Sequence, residues 1–273
     1  MKVWLNGKLV EKKNAKVTVF DHGLLYGDGV FEGIRAYNGK LFQVQAHIDR
    51  LFDSARAIRL AIPYTKQELI DAIGETLRAN GRKDAYIRLL VTRGEGTLGL
   101  NPFKCSNPNT FIIVDDIALY PREMYESGMA VIIAKTMNYL NNIVAKIEAV
   151  DAGVAEAIML NEQGNLAECT GDNLFVVKDA QVVTPPTSAG ILPGITRKVV
   201  LDLARKLQIS LAEKDFGPDF LYEADECFLT GTAAEIISVT KVDGQVIGDG
   251  NVGPVTRRLI DAFHELIGPE QEG

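Results

Sequence analysis

The segment Met129–Glu148 restricts the fold most, because a strand pattern changes to a helix pattern within a few residues. Met129–Ala134 is a short, β-branched apolar run, which is typical of a buried strand. Lys135 and a polar patch follow it. The helical face is then defined by apolar residues three or four positions apart: Leu140, Val144, Ile147 and Val150. Burial lowers the pKa of a lysine, so an amine at the end of a buried strand is a candidate nucleophile toward carbonyl groups. On this feature alone, Lys135 is better explained as the point where the strand reaches the surface.

Composition excludes several classes of protein. The 273 residues are 47% hydrophobic and 24% charged, which is ordinary for a soluble globular chain with a sizeable core. The net charge of −7 argues against nucleic-acid binding. No apolar run approaches the roughly 18 residues of a membrane span. The first residues lack the apolar region and cleavage site of a signal peptide, so we expect a cytoplasmic protein.

The few cysteines and histidines also favour a cytoplasmic protein and argue against a metal centre. The three cysteines, Cys105, Cys169 and Cys227, form no CxxC pair and predict reduced thiols. The three histidines, His22, His47 and His264, lie far apart, which makes a metal centre improbable. None of them has the serine or cysteine context of a hydrolase.

The first part of the chain mixes strands with two helices. Asn6-Gly7 and Asn38-Gly39 are turn pairs between apolar runs and predict two hairpins. Lys16–Phe20 alternates and predicts another strand. Further along we predict, in order, a helix at His47–Ile58, a helix opened by a capping box at Thr65–Glu68, and strands at Ala85–Thr92 and Thr110–Ile117, the last two separated by the loop Gly94–Pro102.

The apolar pattern breaks around residues 119–128, which we interpret as a linker between a small domain, 1–118, and a larger one, 129–273. The larger domain is predicted to contain a hairpin at Asn173–Lys178 and Gln181–Thr184, helices at Thr196–Leu207 and Val255–Ile267, and a strand at Cys227–Thr230. Because strands and helices do not alternate as regular βαβ units, the pattern predicts a two-domain α+β fold.

Two loops are suited to anions. Leu192–Thr196 precedes a helix, so the amides of Ile195 and Thr196 would point out of its N-terminus. Thr230–Glu235 follows a strand and offers small residues, hydroxyl groups and amides. Taken singly, each is better explained as an ordinary cap or turn. Neither loop has the lysine of a P-loop, so nucleotide hydrolysis is not indicated.

Other candidates are ambiguous one by one. Glu168 lies between two strand-like runs and could be a solvated loop carboxylate, while Asp172 and Asn173 could be turn formers. Arg50 could lie on a solvated helix face. Together, however, a semi-buried lysine, a tyrosine four residues later, a carboxylate, an arginine and two anion loops fit a cofactor with an aldehyde, a ring nitrogen and a phosphate.

Seven segments then make the resemblance specific. The chain resembles the fold-type IV pyridoxal-phosphate (PLP) aminotransferases, most closely those acting on branched-chain amino acids. The segments span nearly the whole chain in the family's order: Tyr26–Gly39, His47–Leu51, Ala85–Gly94, Lys135–Asn142, Ala167–Phe175, Leu192–Arg197 and Phe228–Ile236. The resemblance implies the two-domain fold of the D-amino acid aminotransferase type, with mixed and antiparallel strands and helices.

The resemblance also implies roles around PLP. Lys135 would bond covalently to the cofactor and move the substrate Cα proton, and Glu168 would pair with the ring nitrogen. Tyr139 would bond to the phenolic oxygen. The phosphate would be held by Arg50, Ile195, Thr196, Gly231 and Thr232.

For the substrates, amino acids and 2-oxo acids, the family combines an apolar pocket with a loop of a partner subunit, which implies a homodimer or a higher homo-oligomer. The matching wall residues are Tyr26, Phe31 and Leu100; for Phe31 and Leu100, core packing is an equal alternative. Arg35 and Tyr86, with the amides of Thr232 and Ala233, match the α-carboxylate site. Arg88 matches the residue that receives the distal carboxylate of glutamate or 2-oxoglutarate. Arg93 and Leu100 border a loop that varies in the family.

The expected reaction transfers the amino group of leucine, isoleucine or valine to 2-oxoglutarate, as in branched-chain amino acid biosynthesis. A D-amino acid or (R)-amine aminotransferase shares the fold and the PLP residues and is the alternative. An aminodeoxychorismate lyase and a PLP-free binding protein are more remote ones. The segments Phe31–Arg35, Leu192–Arg197 and Thr230–Glu235 favour the branched-chain type.

Overall fold

Two sheets, one in each half of the chain, carry the structure. The computed structural model describes residues 1–105, 107–116, 120–134 and 139–268, without the side chains of 133, 134 and 139–141. Contacts divide the chain into two units, Met1–Ile117 and Ala118–Pro269. Within the described ranges, no helix is both long and apolar enough to cross a membrane.

The first unit is built on a six-stranded antiparallel sheet with the order β2-β1-β6-β5-β3-β4. Its strands are β1 (Lys2–Leu5), β2 (Lys8–Glu11), β3 (Gly29–Tyr37), β4 (Lys40–Leu41), β5 (Ala85–Thr92) and β6 (Asn109–Asp115). Its helices are α1 (His22–Tyr26), α2 (Val44–Ala57) and α3 (Lys66–Ala79), with short 3-10 turns at Lys12–Asn14 and Pro102–Lys104.

The two faces of this sheet differ in chemistry. Because side chains alternate along a strand, Ile34, Ile87 and Leu89 share one face, where they form a core with residues of α2 and α3 such as Leu51 and Ile73. The opposite face carries the other set of alternating residues on the paired strands β3 and β5: Phe31, Gly33, Arg35, Tyr86 and Arg88.

The predicted capping box is present at the start of α3. The Thr65 hydroxyl accepts a hydrogen bond from the Glu68 amide, and the Thr65 amide donates to the Glu68 carboxylate.

The strand predicted at Lys16–Phe20 is wrong. These residues form no strand, and Val19 and Phe20 are exposed at a turn before Asp21, which caps α1. Alternation shows that side chains can take two sides, but it does not supply a pairing strand.

The second unit contains a nine-stranded mixed sheet. Its strands are β7 (Met129–Ala134), β8 (Glu156–Leu160), β9 (Leu166–Cys169), β10 (Asn173–Lys178), β11 (Gln181–Thr184), β12 (Ser210–Glu213), β13 (Glu226–Gly231), β14 (Glu235–Val242) and β15 (Gln245–Val246). Its helices are α4 (Arg122–Ser127), α5 (Tyr139–Asp151), α6 (Ile195–Lys206), α7 (Pro218–Tyr222) and α8 (Pro254–Ile267), with a 3-10 turn at Thr187–Ala189.

Six of these strands close into a ring. The pairings run β10-β13-β14-β7-β8-β9, and β9 pairs back to β10 through Glu168 and Asn173. Leu174, Leu229 and Ile237 belong to the core of this unit. Phe175 and Phe228 stack on each other at 4.9 Å between ring centroids. The closing pair therefore brings Glu168 next to the start of β10.

The structure shows what the predicted linker and the predicted apolar helix face contact. The region 119–128 contains α4, and Met124 and Tyr125 of that helix pack against the core of the second unit. On α5, Val144, Ile147 and Val150 share one face as their spacing predicts, and that face is exposed. The side chain of Leu140, the fourth residue of the predicted face, lies outside the described part of the chain. Ala145 and Ala149 of α5 instead make the buried contacts with β8.

Candidate active site

Glu168 of β9 is a half-buried carboxyl group held from two sides. Its Oε2 accepts a hydrogen bond of 3.0 Å from Asn173 Nδ2 and one of 2.9 Å from the Leu192 amide. Burial raises the pKa of Glu168 to about 7; the Leu192 hydrogen bond opposes this rise and the charge of Asp172 adds to it. A perturbed carboxyl group in a cleft is a candidate functional group.

Glu168 lines a cavity of about 490 Å³, which we call the Glu168 cavity. Three stretches supply most of its wall: residues 159–161, 167–171 and 189–193. Asn142 of α5 also lines it and donates from Nδ2 to the Thr170 carbonyl at 2.8 Å. Met159, another lining residue, is paired with Ala134, the last residue of β7.

Lys135 and Tyr139, the predicted covalent and phenolic-oxygen partners of PLP, have no described side chains. Lys135 lies outside the described residues, and of Tyr139 only the backbone, at the start of α5, is described. Ala134, which precedes Lys135, pairs with Met159 of the cavity lining, and Asn142, three residues after Tyr139, lines the Glu168 cavity.

Both predicted anion loops lie in contact with the segment that follows Glu168. A Cβ atom on Gly194, the N-cap of α6, would come within 2.0 Å of Asn173 Oδ1, and Asn173 Nδ2 also donates to the Leu192 carbonyl at 2.9 Å. A Cβ atom on Gly231 would come within 1.8 Å of Asp172 Oδ1. Glycine therefore lets the side-chain oxygens of Asn173 and Asp172 approach the backbones of the two loops closely.

The helix N-terminus and the turn offer donors for an anion. Ile195 and Thr196 are the first two residues of α6, and no described side chain caps that end. Gly231 ends β13, and Thr232 and Ala233 form the half-buried turn into β14. The buried hydroxyl of Thr230 has no hydrogen-bond partner among the described residues.

A buried acidic cluster behind the Glu168 cavity was missed by the sequence analysis. The Tyr120 hydroxyl donates to Asp172 at 3.1 Å and lies 3.3 Å from Glu156, which also accepts from the Thr170 hydroxyl and from Lys146. Burial, then the charge of Glu156, raises the pKa of Asp172 to about 7. Asp172 and Asn173 are both buried. Asp172 also lies in the turn between β9 and β10, where its carbonyl accepts a hydrogen bond from the Cys169 amide.

In the first unit, Arg50 of α2 is paired and mostly buried, with 21% of its side chain exposed. Its Nε and Nη2 donate to the two oxygens of Glu32 at 2.8 and 2.7 Å. His47 Nδ1 lies 2.8 Å from Glu32 Oε2. A solvated helix position, the simple interpretation of Arg50, is therefore wrong.

The predicted substrate residues of β3 and β5 lie together on the open face of the first sheet. Arg35 pairs with Tyr86 and Gly33 with Arg88 in the β3–β5 register. The Arg88 guanidinium lies 4.5 Å from the ring centroid of Phe31 and 5.3 Å from that of Tyr86. A Cβ atom on Gly33 would come within 2.1 Å of the Tyr86 hydroxyl, so glycine makes room for this ring.

Tyr26 and Leu100 lie at a second position on the first unit. The Gly99 amide donates to the Tyr26 hydroxyl at 2.9 Å, and Leu100 is 80% exposed. Core packing, the alternative for Phe31 and Leu100, is therefore wrong, since both side chains are exposed.

Arg93 is buried, donates to both oxygens of Asp28, and also donates to the carbonyls of Ile58 and Arg59. These contacts make Arg93 a structural anchor of the loop that follows it.

The α+β fold, with its ring of strands and the cavity where β9 pairs with β10, agrees with a match to a known enzyme family. The family model described as amino-transferase class IV matches residues 29–242, and the chain belongs to this family. This confirms the fold-type IV resemblance and the fold class predicted from the seven segments.

Individual relatives narrow the comparison. A putative branched-chain-amino-acid aminotransferase of Methanocaldococcus jannaschii is 49% identical over 97% of this chain and 96% of that protein. The crystal structure of the Escherichia coli branched-chain amino acid aminotransferase matches with a TM-score of 0.95 and 36% identity, covering 99% of this chain and 96% of that one. A third match is a T.th. branched-chain amino acid aminotransferase complexed with N-(5'-phosphopyridoxyl)-L-glutamate, with a TM-score of 0.91 and 36% identity, covering 97% of this chain and 93% of that one.

Proposed function

We propose that the protein is a PLP-dependent aminotransferase that converts leucine, isoleucine and valine to their 2-oxo acids with 2-oxoglutarate as acceptor. The observation that carries this proposal is the Glu168 carboxyl, which lies in a cavity beside two glycine-dependent loops. The names of the relatives, and the phosphopyridoxyl-glutamate complex of one of them, support both the reaction and the cofactor.

The residues of the second unit fit PLP. The Glu168 cavity, at about 490 Å³, falls within the range of cofactor sites, roughly 300–1,000 Å³. Gly194 and Gly231 let the Asn173 and Asp172 side chains pack against the two loops. The N-terminus of α6, which follows the cavity-lining residues Leu192 and Pro193, suits a phosphate. We assign the phosphate to the amides of Ile195 and Thr196, to Gly231 and Thr232, and to Arg50.

When bound, PLP supplies an aldehyde and a ring that accepts electrons from the substrate Cα. Glu168, ionised when paired with the ring, would keep the ring nitrogen protonated. Lys135 follows β7, whose last residue pairs with a residue lining the Glu168 cavity, and this supports assigning its amine to the Cα proton. Tyr139 is assigned to the phenolic oxygen on the resemblance alone.

The open face of the first sheet suits two kinds of side chain. Phe31 and Tyr86 cover the Arg88 guanidinium with aromatic rings, so the face presents apolar surface to a branched chain. The same guanidinium keeps its charge and can pair with the distal carboxylate of glutamate. We retain Arg35, Tyr86, Thr232 and Ala233 for the α-carboxylate, and Tyr26 and Leu100 for the wall.

We further propose that the protein works in the cytoplasm as a homodimer. Exposed apolar side chains support self-association: those of α1, Leu24 and Leu25, and those of α5, Ile143, Ile147 and Val150. A partner's loop would complete each substrate pocket, as the resemblance implies.

The proposal is tested with purified protein reconstituted with PLP. We expect a yellow protein whose absorbance band bleaches with L-leucine, and Lys135→Ala should abolish both the covalent linkage and turnover. Lys198→Ala, at an exposed position of α6, is the matched control and should retain both. Donors are L-leucine, L-valine, D-alanine and (R)-1-phenylethylamine, each with 2-oxoglutarate and with pyruvate. Preference for D-alanine or for the (R)-amine would reject the branched-chain assignment.

A further inference from the structure

Glu32 occupies an unusual place for a carboxylate. It lies in the middle of β3, on the face that Ile34 and Ala36 turn toward the helices, and only 3% of its side chain is exposed. An ionised group at such a position requires several hydrogen bonds from charged or polar donors. All its described partners are on α2: Arg50 through two nitrogens, and His47 through Nδ1.

The contact with Arg50 has the geometry that fixes a guanidinium most firmly. Two parallel N–H···O bonds, to Oε1 and Oε2, hold the plane of the group as well as its position. His47, itself buried, lies against Oε2 and so limits the rotation of the Glu32 carboxylate. Burial raises the pKa of Glu32, but the hydrogen bonds from Arg50 and His47 outweigh it and leave that pKa below its ordinary value.

We propose that Glu32 and His47 are positioning residues for Arg50, which they hold in the orientation that binds the phosphate group of the cofactor. This inference rests on the proposed function, in which Arg50 contacts that phosphate. Groups that orient a ligating side chain, without touching the ligand, commonly change affinity by 10–100-fold when they are removed, as the partners of metal ligands do.

Charge and positioning predict opposite results for one substitution. Glu32→Gln removes a negative charge next to Arg50, so electrostatics alone would tighten the binding of an anion. The same substitution removes one of the two carboxylate acceptors of Arg50, so positioning predicts weaker binding. We expect an increase of about tenfold in the dissociation constant of PLP for Glu32→Gln, the lower end of that range.

The test titrates PLP into the apoprotein of each variant and records the 31P NMR signal of the bound phosphate. His47→Leu should weaken PLP binding about threefold, which is a fraction of that range because one hydrogen bond is lost and the Arg50 pair is kept. His47→Asn keeps an N–H near the position of Nδ1 and should restore the wild-type dissociation constant. Glu32→Gln should also shift the phosphate signal, a readout that loss of stability alone does not move.

Asp28→Asn is the matched control, because Asp28 and Arg93 form a comparable bidentate pair in the same unit. It should lower the stability of the apoprotein and leave PLP affinity unchanged. If Glu32→Gln does not fold, His47→Leu and His47→Asn decide the question. Equal affinity in those two variants would then overturn the inference.

Substitutions of Arg50 separate this inference from the proposed function. If Arg50→Ala, which also removes the charge, leaves PLP affinity unchanged, the assignment of Arg50 to the phosphate fails. If Arg50→Lys weakens binding but Glu32→Gln leaves it unchanged or tightens it, the positioning inference fails. In a double-mutant cycle the two substitutions should be strongly non-additive, and additivity would also overturn the inference.

Discussion

Among the described residues, Glu168 accepts fewer hydrogen bonds than an ionised carboxylate usually does. Both donors that reach it within the described part of the chain, Asn173 Nδ2 and the Leu192 amide, bond to Oε2. Because ionised carboxylates usually accept bonds at both oxygens, burial dominates here and favours the protonated form. Under the proposed function, the ring nitrogen of PLP would be a further partner of this carboxyl group.

This imbalance gives the apoprotein a specific pH dependence. The pKa of Glu168 rises from 4.5 to about 7 on folding, so the folded state holds this proton more tightly, and the contribution of Glu168 to stability falls as pH rises through that interval. Relative to Glu168→Gln, the wild-type apoprotein should therefore lose about 3 kcal/mol of unfolding free energy between pH 4.5 and pH 7.5. Urea unfolding at several pH values measures this difference. If the unfolding free energies of the two proteins changed in parallel with pH, the raised pKa of Glu168 would be contradicted. Asp172 is present in both proteins, so its own titration largely cancels.

Gly231 and Gly171 form a matched pair for testing close packing. Neither has a positive φ, so alanine is not strained by the backbone at either position. At Gly231 the new methyl group would meet Asp172 Oδ1, whereas at Gly171 no described atom lies within 4 Å of it. We expect Gly231→Ala to destabilise the apoprotein by about 1–3 kcal/mol. Gly171→Ala should change it by less than about 0.5 kcal/mol. Chemical denaturation of both variants tests this, and equal effects would show that Asp172 moves aside freely.

The residues that sequence analysis misjudged share one physical reason. Asp172 lies in a turn, as its residue type allows, but its burial does not follow from that type, and Arg50 has a side chain suited to solvent. Their actual surroundings come from partners distant in the chain: Tyr120 for Asp172, and Glu32 for Arg50. No periodicity encodes such contacts, and the resemblance alone singled out Glu168 and Arg50.

At the scale of elements, segments were predicted well where two local signals agreed. The hairpin of β10 and β11 has both alternating apolar strands and a two-residue turn, and its bounds match the prediction. Lys16–Phe20 had alternation alone and is not a strand. The helix α1 is only five residues long, too short for a periodic pattern to show.

Replacing glycine by alanine should change the unfolding free energy in opposite directions in helix α3 and in the turn between β3 and β4. Gly74 lies inside α3, and the nearest atom to an added Cβ is the flexible end of Arg78, at 3.2 Å. Gly74→Ala should raise the unfolding free energy by about 0.5–1 kcal/mol, because glycine is a poor helix former. Gly39 has φ of +76°, so Gly39→Ala should lower the unfolding free energy by about 1 kcal/mol. Thermal unfolding of both variants decides this, and a loss at Gly74 would mean that Arg78 cannot yield.

At the scale of the whole molecule, the second unit leaves one helix face uncovered. Ala145 and Ala149 pack α5 onto β8, so the larger apolar residues of the helix, Ile143, Ile147 and Val150, remain exposed. An exposed row of large aliphatic side chains is unfavourable in water unless another surface covers it. Under the proposed homodimer, a second copy of the chain supplies that surface.

A lysine placed on this face tests the dimer directly. Ile147→Lys puts a charge among the apolar side chains of α5 and should weaken the dimer at least tenfold, since desolvating an unpaired charge at an interface is costly. Glu148→Lys is the control: it places the same side chain at the next position of the helix, which is exposed and polar in the wild type, and should leave the dimer intact. Light scattering over a dilution series, with activity measured in each sample, gives both dissociation and its consequence. Because the proposed substrate pocket needs a partner's loop, activity should fall with the dimer fraction. A fully active wild-type monomer would reject the assembly, and an unaffected Ile147→Lys dimer would place the interface on another surface.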